Sequence, residues 1–385
     1  MKKKVIAAGH ICIDITPVFP TGRKFDRPEQ LLAPGKLIRV DPADVHTGGS
    51  VANTGLALKI LGNDVQLMGK VGNDAFGGMV REILQQYNAA DDLLVDQGGS
   101  TSYSVVLSIP GIDRIFLHNP GANDTFCGAD IPEKALDDAV LFHFGYPPLM
   151  RKMYENDGAE LASLFRRMKS KGIATSLDMA AIDPASPAGK QDWEKILARA
   201  LPNVDFFVPS VEELLFMLAP EKYAELLKRS GGADIPRMLD INTDVKPLAD
   251  TLLEMGSKVV LIKCGIQGMY YRTGGREAMR AVGSRLSLDV NAWADQEGFQ
   301  RSFKAERVLS GTGAGDTSIA AYLTAILRGK SPARCAALAV AEGTCAVTTY
   351  DALSGLEPLD TLEAKIDTGW EYEPIEESEG EILCL

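Results

Sequence analysis

The sequence predicts an α/β fold of three layers, with helices on both faces of a mostly parallel sheet and a small β-sheet set apart near the amino-terminal end. Three observations predict it. From Val140 onward, short β-rich apolar runs alternate with helical ones, as βαβ units do. Between Thr101 and Gly121 the texture changes, and "TSYSVVLSIPGIDRIFLHNPG" holds two β-rich runs around a Pro-Gly turn, the signature of a hairpin. At 385 residues and 45% hydrophobic, the chain can bury one large core with a minor partner.

Taken in order, Val5–Ile15 reads as a first buried strand. "GGSVANTGLALKILG" reads as a helix closed by Gly62 just past its end. Val65–Val71 is a second strand. Asp74 then N-caps a helix whose Phe76, Met79, Val80, Ile83, Leu84 and Tyr87 follow the 3.6-residue period. "KLIRVDPADVHTGG" adds strand to the hairpin. The later series is Val140–Phe144, a helix around Ala159–Lys169, Ile173–Leu177, a helix near Trp193–Ala200, and Val204–Val208. It continues with helices at Val211–Leu218 and near Pro247–Met255, where proline suits a first turn, and the strand Lys258–Lys263. The irregular stretch 274–307 is expected to be an insertion near a binding face. "EYEPIEESEGEILCL" (371–385) is an acidic tail. Residues 1–370 thus form the main domain, with its small β-sheet drawn from about 16–47 and 100–120. No repeat of 20–50 residues stands out.

Composition removes several classes of function. A net charge of −12 argues against nucleic-acid and anionic-membrane partners, which need clustered Lys and Arg. The six cysteines (Cys12, Cys127, Cys264, Cys335, Cys345, Cys384) lie far apart without a C-x-x-C pair, and there are four histidines, so neither a disulfide framework nor a His-rich metal site is expected. In "MKKKVIAAGHICIDI" Asp14 interrupts the apolar run, which fits a buried strand and not a signal peptide. No apolar run reaches membrane-spanning length; a cytoplasmic protein is expected.

The chemistry concentrates in "GTGAGDTSIAAYLTAIL" (311–327), where Gly313, Ala314, Gly315 and Asp316 open a helix with Ile319, Leu323, Ile326 and Leu327 on one face. A helix start offers unpaired N–H groups and a positive dipole end, and small residues leave room for an anion to approach them. From this pattern alone, Asp316 is either the helix cap or a proton acceptor beside an anion site. A P-loop would need G-K-[ST] after the glycines. A dinucleotide fingerprint would come early, as G-x-G-x-x-G. Neither fits.

Together with "GGSVANTGLALKILGNDVQLMGKVGNDAFG" (48–77), this segment resembles the PfkB, or ribokinase-like, family of carbohydrate and nucleoside kinases, a weaker likeness extending from about Val5 to Leu356. The resemblance implies a ribokinase-like three-layer fold with a small β lid over the sugar, and ATP-dependent phosphorylation of a hydroxyl on a sugar or sugar-like molecule with Mg²⁺. Asp316 would be the general base, and the N–H groups of Gly313, Ala314 and Gly315 the anion hole. Asp14, Gly48, Gly49 and Asn53 would contact the sugar, and Arg114, after the turn "PGID", would reach across from the lid. In "VVLIKCGIQGMYY" Lys263, Gly265 and Gly268, with Thr312, would line the nucleotide side. Glu213 of "VPSVEELLFM" would serve the metal, although Ser210 replaces the family's Asn.

Further departures are Ser310-Gly311-Thr312, where the family often has Asp-Thr-Thr, and Val340 near a familiar Asn. The first leaves a monovalent cation open. A nucleoside kinase is an alternative, with Tyr103, Phe116 and 274–307 as candidates for a base slot. A sugar-binding regulatory protein without turnover is another, and a dinucleotide oxidoreductase is remote. The lid's open edge suits a homodimer.

Overall fold

A computed structural model of the chain describes residues 3–20, 24–111, 115–231 and 234–374. In chain order, β1 (Lys4–Gly9), β2 (Cys12–Val18) and β3 (Asp41–Gly48) precede α1 (Ser50–Ile60), and β4 (Asp64–Met68) and β5 (Lys70–Gly72) precede α2 (Ala75–Gln86). Next come β6 (Leu94–Asp96), β7 (Tyr103–Leu107), β8 (Ile115–Asn119), β9 (Ala139–Gly145) and α3 (Arg151–Ser170), the last interrupted by non-helical backbone at Glu155, Asn156, Asp157 and Gly158. β10 (Ala174–Asp178), α4 (Trp193–Ala200), β11 (Phe206–Phe207), α5 (Val211–Leu218), α6 (Pro220–Ser230), α7 (Lys246–Glu254) and β12 (Val259–Lys263) carry the alternation on. β13 (Gly268–Thr273), α8 (Arg276–Arg280), α9 (Val290–Trp293), β14 (Glu297–Arg301), α10 (Ala314–Leu327), α11 (Pro332–Ala346) and α12 (Leu359–Asp367) complete it.

The main sheet has eight strands in the order β14-β13-β12-β11-β10-β9-β1-β4. Pairings from β12 through β4 are parallel, and β13 and β14 close one edge antiparallel. Alternate strand residues feed opposite cores, as the pleat requires. Val5, Ala7, Leu141, Val259 and Leu261 pack on the side of α1, α10 and α11, whereas Ile6, Ala8, Phe142, Phe144, Val260 and Ile262 pack on the side of α3–α7. These are the three expected layers.

A second sheet, in the order β3-β2-β7-β8, stands apart. Its β2·β3 and β7·β8 pairs are antiparallel and its β2·β7 pair is parallel. The hairpin and the strand from "KLIRVDPADVHTGG" are therefore present as expected.

Some elements differ from expectation. Val5–Ile15 is two strands in two sheets, because Gly9 adopts φ 126° against Gly145 and turns the chain out of the main sheet. The amide of Asn123 clasps the crossing at Ile11, its Oδ1 accepting from Ile11 N at 3.2 Å and its Nδ2 donating to Ile11 O at 2.9 Å. The small sheet thus begins at Cys12, ahead of residue 16. Val65–Val71 likewise breaks at Gly69 into β4 and β5.

The stretch 274–307 holds two helices and an edge strand, and its helical part does not line the carboxyl ends of the strands. Gly283 donates to Asp205 just before β11, and Arg285 to the carbonyls of Leu136, Asp137 and Ala139 leading into β9. It closes the amino ends of the sheet instead. Of the acidic tail, Tyr372 bridges and stacks on Phe303, ring centroids 5.3 Å apart; residues 375–385 lie outside the described residues. Among the described residues, no helix is long and apolar enough to cross a membrane.

Candidate active site

Asp316 is the third residue of α10, and the helix is capped by Gly313, not by a side chain. Gly313 sits at φ 73°, and a Cβ there would overlap Ala352. Both facts demand glycine. The Asp316 carboxylate is 5% exposed and turned away from its own helix. Its Oδ1 accepts from Thr54 Oγ1 at 2.9 Å and Tyr146 OH at 2.9 Å; its Oδ2 accepts from Asn53 Nδ2 at 3.0 Å and Tyr146 OH at 2.8 Å. The cap reading of Asp316 is thereby set aside: three side chains from α1 and the end of β9 hold it.

Tyr146 follows β9 with φ 68°, a conformation that costs a non-glycine residue about 1–3 kcal/mol and tends to persist where function requires it. Burial, then the Asp316 and Asp178 carboxylates, push its phenol well above its ordinary pKa, so it remains a donor.

Beside this carboxylate, Lys263 at the end of β12 pairs with Asp178 at the end of β10, Nζ to Oδ1 at 2.7 Å, with side chains 14% and 2% exposed. Burial opposes the Lys263 charge, but the Asp178, Glu213 and Asp316 carboxylates outweigh it and raise its pKa. Burial pushes the Asp178 carboxyl upward, with Glu213 and Asp316 adding to the shift and Lys263 opposing it. One ammonium thus stands among three carboxylates. A Cβ on Gly315 would sit 3.7 Å from Lys263 Nζ, so the backbone at the mouth of α10 faces this ammonium.

Glu213 and Ser210 form a capping box on α5: Ser210 N donates to Glu213 Oε2 at 2.7 Å and Glu213 N to Ser210 Oγ at 3.2 Å. Serine in place of the family's Asn is thus a working N-cap. One Glu213 oxygen is committed to its own helix.

On the other side lies the small sheet. Asp14 on β2 is in register with His46 on β3 and Ser104 on β7, and Ser104 with His118 on β8, so the four side chains share one face. Cys12 Sγ donates to Asp14 Oδ1 at 3.3 Å. A Cβ on Gly48 would overlap the Asp14 carboxylate, and one on Gly49, at φ 85°, would lie 2.5 Å from His10 Nδ1. The paired glycines exist to admit these two side chains.

Other expected residues are placed differently. Ala314 N spends its hydrogen on Gly311 O at 3.4 Å, which leaves Gly315 and Asp316 as the less encumbered N–H groups of that turn. Thr312 closes its loop, its N donating to Ser310 Oγ at 3.1 Å. Gly265 and Gly268, with φ 55° and 127°, shape the β12–β13 turn; a Cβ on Gly265 would touch Pro236 at 3.1 Å and one on Gly268 would overlap Gln300. Tyr103 packs against Phe76 of α2, ring centroids 5.5 Å apart and planes tilted by 56°. Arg114 lies outside the described residues. Sequence reading missed Thr54, Tyr146 and Asp178, although Tyr146 and Asp178 end parallel strands, where open α/β sheets place their sites.

Known proteins resemble the chain along most of its length. Residues 3–358 match the family model described as pfkB family carbohydrate kinase. An uncharacterized sugar kinase of Archaeoglobus fulgidus is 24% identical over 304 residues, 78% of this chain and 98% of that one. Fructokinase-1 of Zea mays is 23% identical over 342 residues, 86% and 85% of the two chains. The structure of Arabidopsis thaliana ribokinase complexed with ribose and ATP superposes with TM-score 0.66 at 18% identity, covering 94% of this chain and 98% of that one. A putative ribokinase II from E. coli, in complex with ATP and Mg²⁺, gives 0.65 at 20%, covering 95% and 99%. These structures share the fold.

Proposed function

The chain belongs to the pfkB family of carbohydrate kinases, and we propose that it transfers the γ-phosphoryl group of Mg·ATP to a hydroxyl of a sugar, with Asp316 as general base. The observation that carries this reading is the buried Asp316 carboxylate, held by Asn53, Thr54 and Tyr146 at the mouth of α10.

In this reading the sugar oxygen bonds to the γ-phosphorus, the bond from phosphorus to the ADP oxygen breaks, and the hydroxyl proton goes to Asp316. Tyr146, which bridges both carboxylate oxygens, fixes their orientation and yields one of them to the incoming hydroxyl. Of the Gly313, Ala314 and Gly315 N–H groups, that of Gly315 is the best disposed toward the transferring group, because Ala314 N already donates to Gly311 O; Lys263, across from Gly315, meets the phosphates. Base catalysis of this kind is worth about 10²–10⁴ in rate.

The residues fit a nucleotide with its magnesium. Lys263 and the start of α10 suit phosphate, and the Asp178, Glu213 and Asp316 carboxyl groups around one ammonium supply oxygens that suit a divalent cation. Bound Mg²⁺ neutralises charge on the phosphates. Glu213 and Asp178 would hold it, through water where one oxygen is already committed.

Asp14, Gly48, Gly49 and Asn53 face the sugar, which the small sheet covers and keeps from water. That sheet also joins two copies in a homodimer: its Val18, Val45, Phe116 and Leu117 are 40%, 42%, 54% and 54% exposed. Sedimentation showing only monomer at micromolar concentration would remove this part.

The test is ADP release with Mg·ATP over a panel of ketoses, aldoses, inositols and nucleosides, in wild type and Asp316→Asn. Turnover confined to one class, falling at least ~100-fold in the variant, is expected. Equal rates in both proteins would sink the base assignment. No turnover, with melting-temperature shifts retained, would leave a sugar-binding protein.

A further inference from the structure

His10 and His118 lie between Tyr146, which holds Asp316, and the small-sheet row that carries Asp14, and the proposed phosphoryl transfer uses neither. His10 sits at the crossing from β1 to β2, 2% exposed. Its ring lies 6.1 Å from that of Tyr146, which holds Asp316, and 5.1 Å from that of His118 on the lid. His118 shares its register row with Ser104, Asp14 and His46. Ring neighbours and strand register thus lead from Tyr146 through His10 and His118 to Ser104 and Asp14.

Each of these two rings has one nitrogen anchored and one without a partner. Ser102 Oγ donates to Asn119 O at 2.8 Å, so His10 Nε2, 3.4 Å from the same oxygen, is the donor there and His10 Nδ1 is a bare acceptor. His118 Nδ1 lies 3.1 Å from Ser104 Oγ. His10 Nδ1 and His118 Nε2 are both buried without a hydrogen-bond partner. Buried polar atoms are costly to leave unpaired, so these two, on rings 5.1 Å apart, point to a ligand that completes them.

We propose that His10 and His118 form a substrate-reading pair that hydrogen-bonds hydroxyl groups of an uncharged polyhydroxylated sugar and selects against substrates bearing a carboxylate or phosphate at that end. The proposal rests on the reading that Asp14 and its neighbours face the acceptor sugar. The local charges agree with it. Burial, then His118, lowers the His10 pKa well below its ordinary value; burial lowers that of His118 against the pull of Asp14 and Asp124. Neutral rings beside the Asp14 carboxylate offer an anion no counter-charge. A site built to pair hydroxyls discriminates strongly against analogues that leave its polar groups unpaired.

The experiment uses the full-length enzyme and the best sugar from the panel above, with His118→Phe and His118→Gln as variants. His118→Phe keeps the ring and removes both nitrogens; His118→Gln restores a polar group of similar reach. In His118→Phe the KM for sugar is expected to rise about 10–100-fold, with kcat and the KM for ATP within about threefold. His118→Gln should recover at least a third of the loss on a logarithmic scale. Wild type should prefer the neutral sugar over its sugar-acid counterpart by at least about 100-fold, a ratio that narrows in His118→Phe. Melting curves of both variants, with and without the sugar, separate misfolding from lost recognition. Unchanged sugar KM in a folded His118→Phe, equal loss toward ATP, or efficient use of the sugar acid by wild type would each overturn the assignment while leaving the kinase reading intact. No turnover of any sugar by wild type would overturn both.

Discussion

Replacing Lys263 by Met tests whether its ammonium serves the nucleotide or only neutralises Asp178. The two groups are 2.7 Å apart, with side chains 14% and 2% exposed. Removing one partner of a buried pair costs about 3–5 kcal/mol, because the other charge is left uncompensated. Here Asp178 would also face Glu213 and Asp316 without relief, so the upper half of that range is expected. For a chain of this size the melting temperature at alkaline pH, where Asp178 is ionised, should fall by roughly 5–6 °C.

The pH dependence has a definite sign. Burial already raises the Asp178 pKa, and loss of Lys263 raises it further. A carboxyl whose folded pKa exceeds its unfolded one binds more protons when folded, so stability is lost as pH rises through the folded value and regained on acidification. Lys263→Met should therefore be worst at alkaline pH. At alkaline pH, adding Asp178→Asn removes the orphaned charge and should return about 2–3 kcal/mol, a non-additivity that a double-mutant cycle in denaturant measures. The stable double variant should still lose about 100-fold or more in kcat/KM for ATP. Strict additivity would refute the coupled pair, and near-normal ATP turnover by the double variant would show that Lys263 has no part in phosphate binding.

Two further outcomes follow from the same geometry. Gly48→Ala drives a methyl group into the Asp14 carboxylate, so the KM for sugar should rise at least about 10-fold while that for ATP holds; a parallel change in both would place Asp14 away from the sugar. His143, hydrogen-bonded to Ser50 and Ser176 at 3.2 and 3.1 Å, has its pKa lowered by burial, then by Lys263, from 6.5 to about 3. The unfolded chain takes up that proton first, so stability present above 6.5 is lost as pH falls toward 3, by about 2 kcal/mol at pH 5. His143→Gln should flatten that limb of the stability profile, and an unchanged limb would show that other groups govern it.

What the sequence disclosed, and what it withheld, has a physical pattern. Gly48, Gly49 and Gly313 through Asp316 were legible because each belongs to a local motif in which spacing reflects backbone need. Tyr146 and Asp178 were not. Each stands alone at the end of its own strand, 170 and 138 residues before Asp316 in the numbering, and only the parallel pairing of β9, β10, β11 and β12 brings them together. The row His46, Asp14, Ser104 and His118 depends on the register of three strand pairs, which alternating polarity does not determine in a half-exposed sheet. The stretch 274–307 misled for a related reason: irregular sequence signals an insertion, but not which end of the sheet it covers.

The crossing at Gly9 makes β2 a continuation of β1, one of the inner strands of the main sheet. The joint is narrow and pinned twice, by His10 N to Gly145 O at 3.2 Å and by Val51 N to His10 O at 3.1 Å. Mechanically this is a lever with its fulcrum at His10. Any swing of the small sheet about it carries Asp14 and His118 through a long arc while His10 stays with the frame that holds Tyr146 and Asp316. A sugar would then meet a stationary jaw first and a travelling one second. Its fit would be checked twice, and only a molecule long enough to touch both jaws could keep them shut.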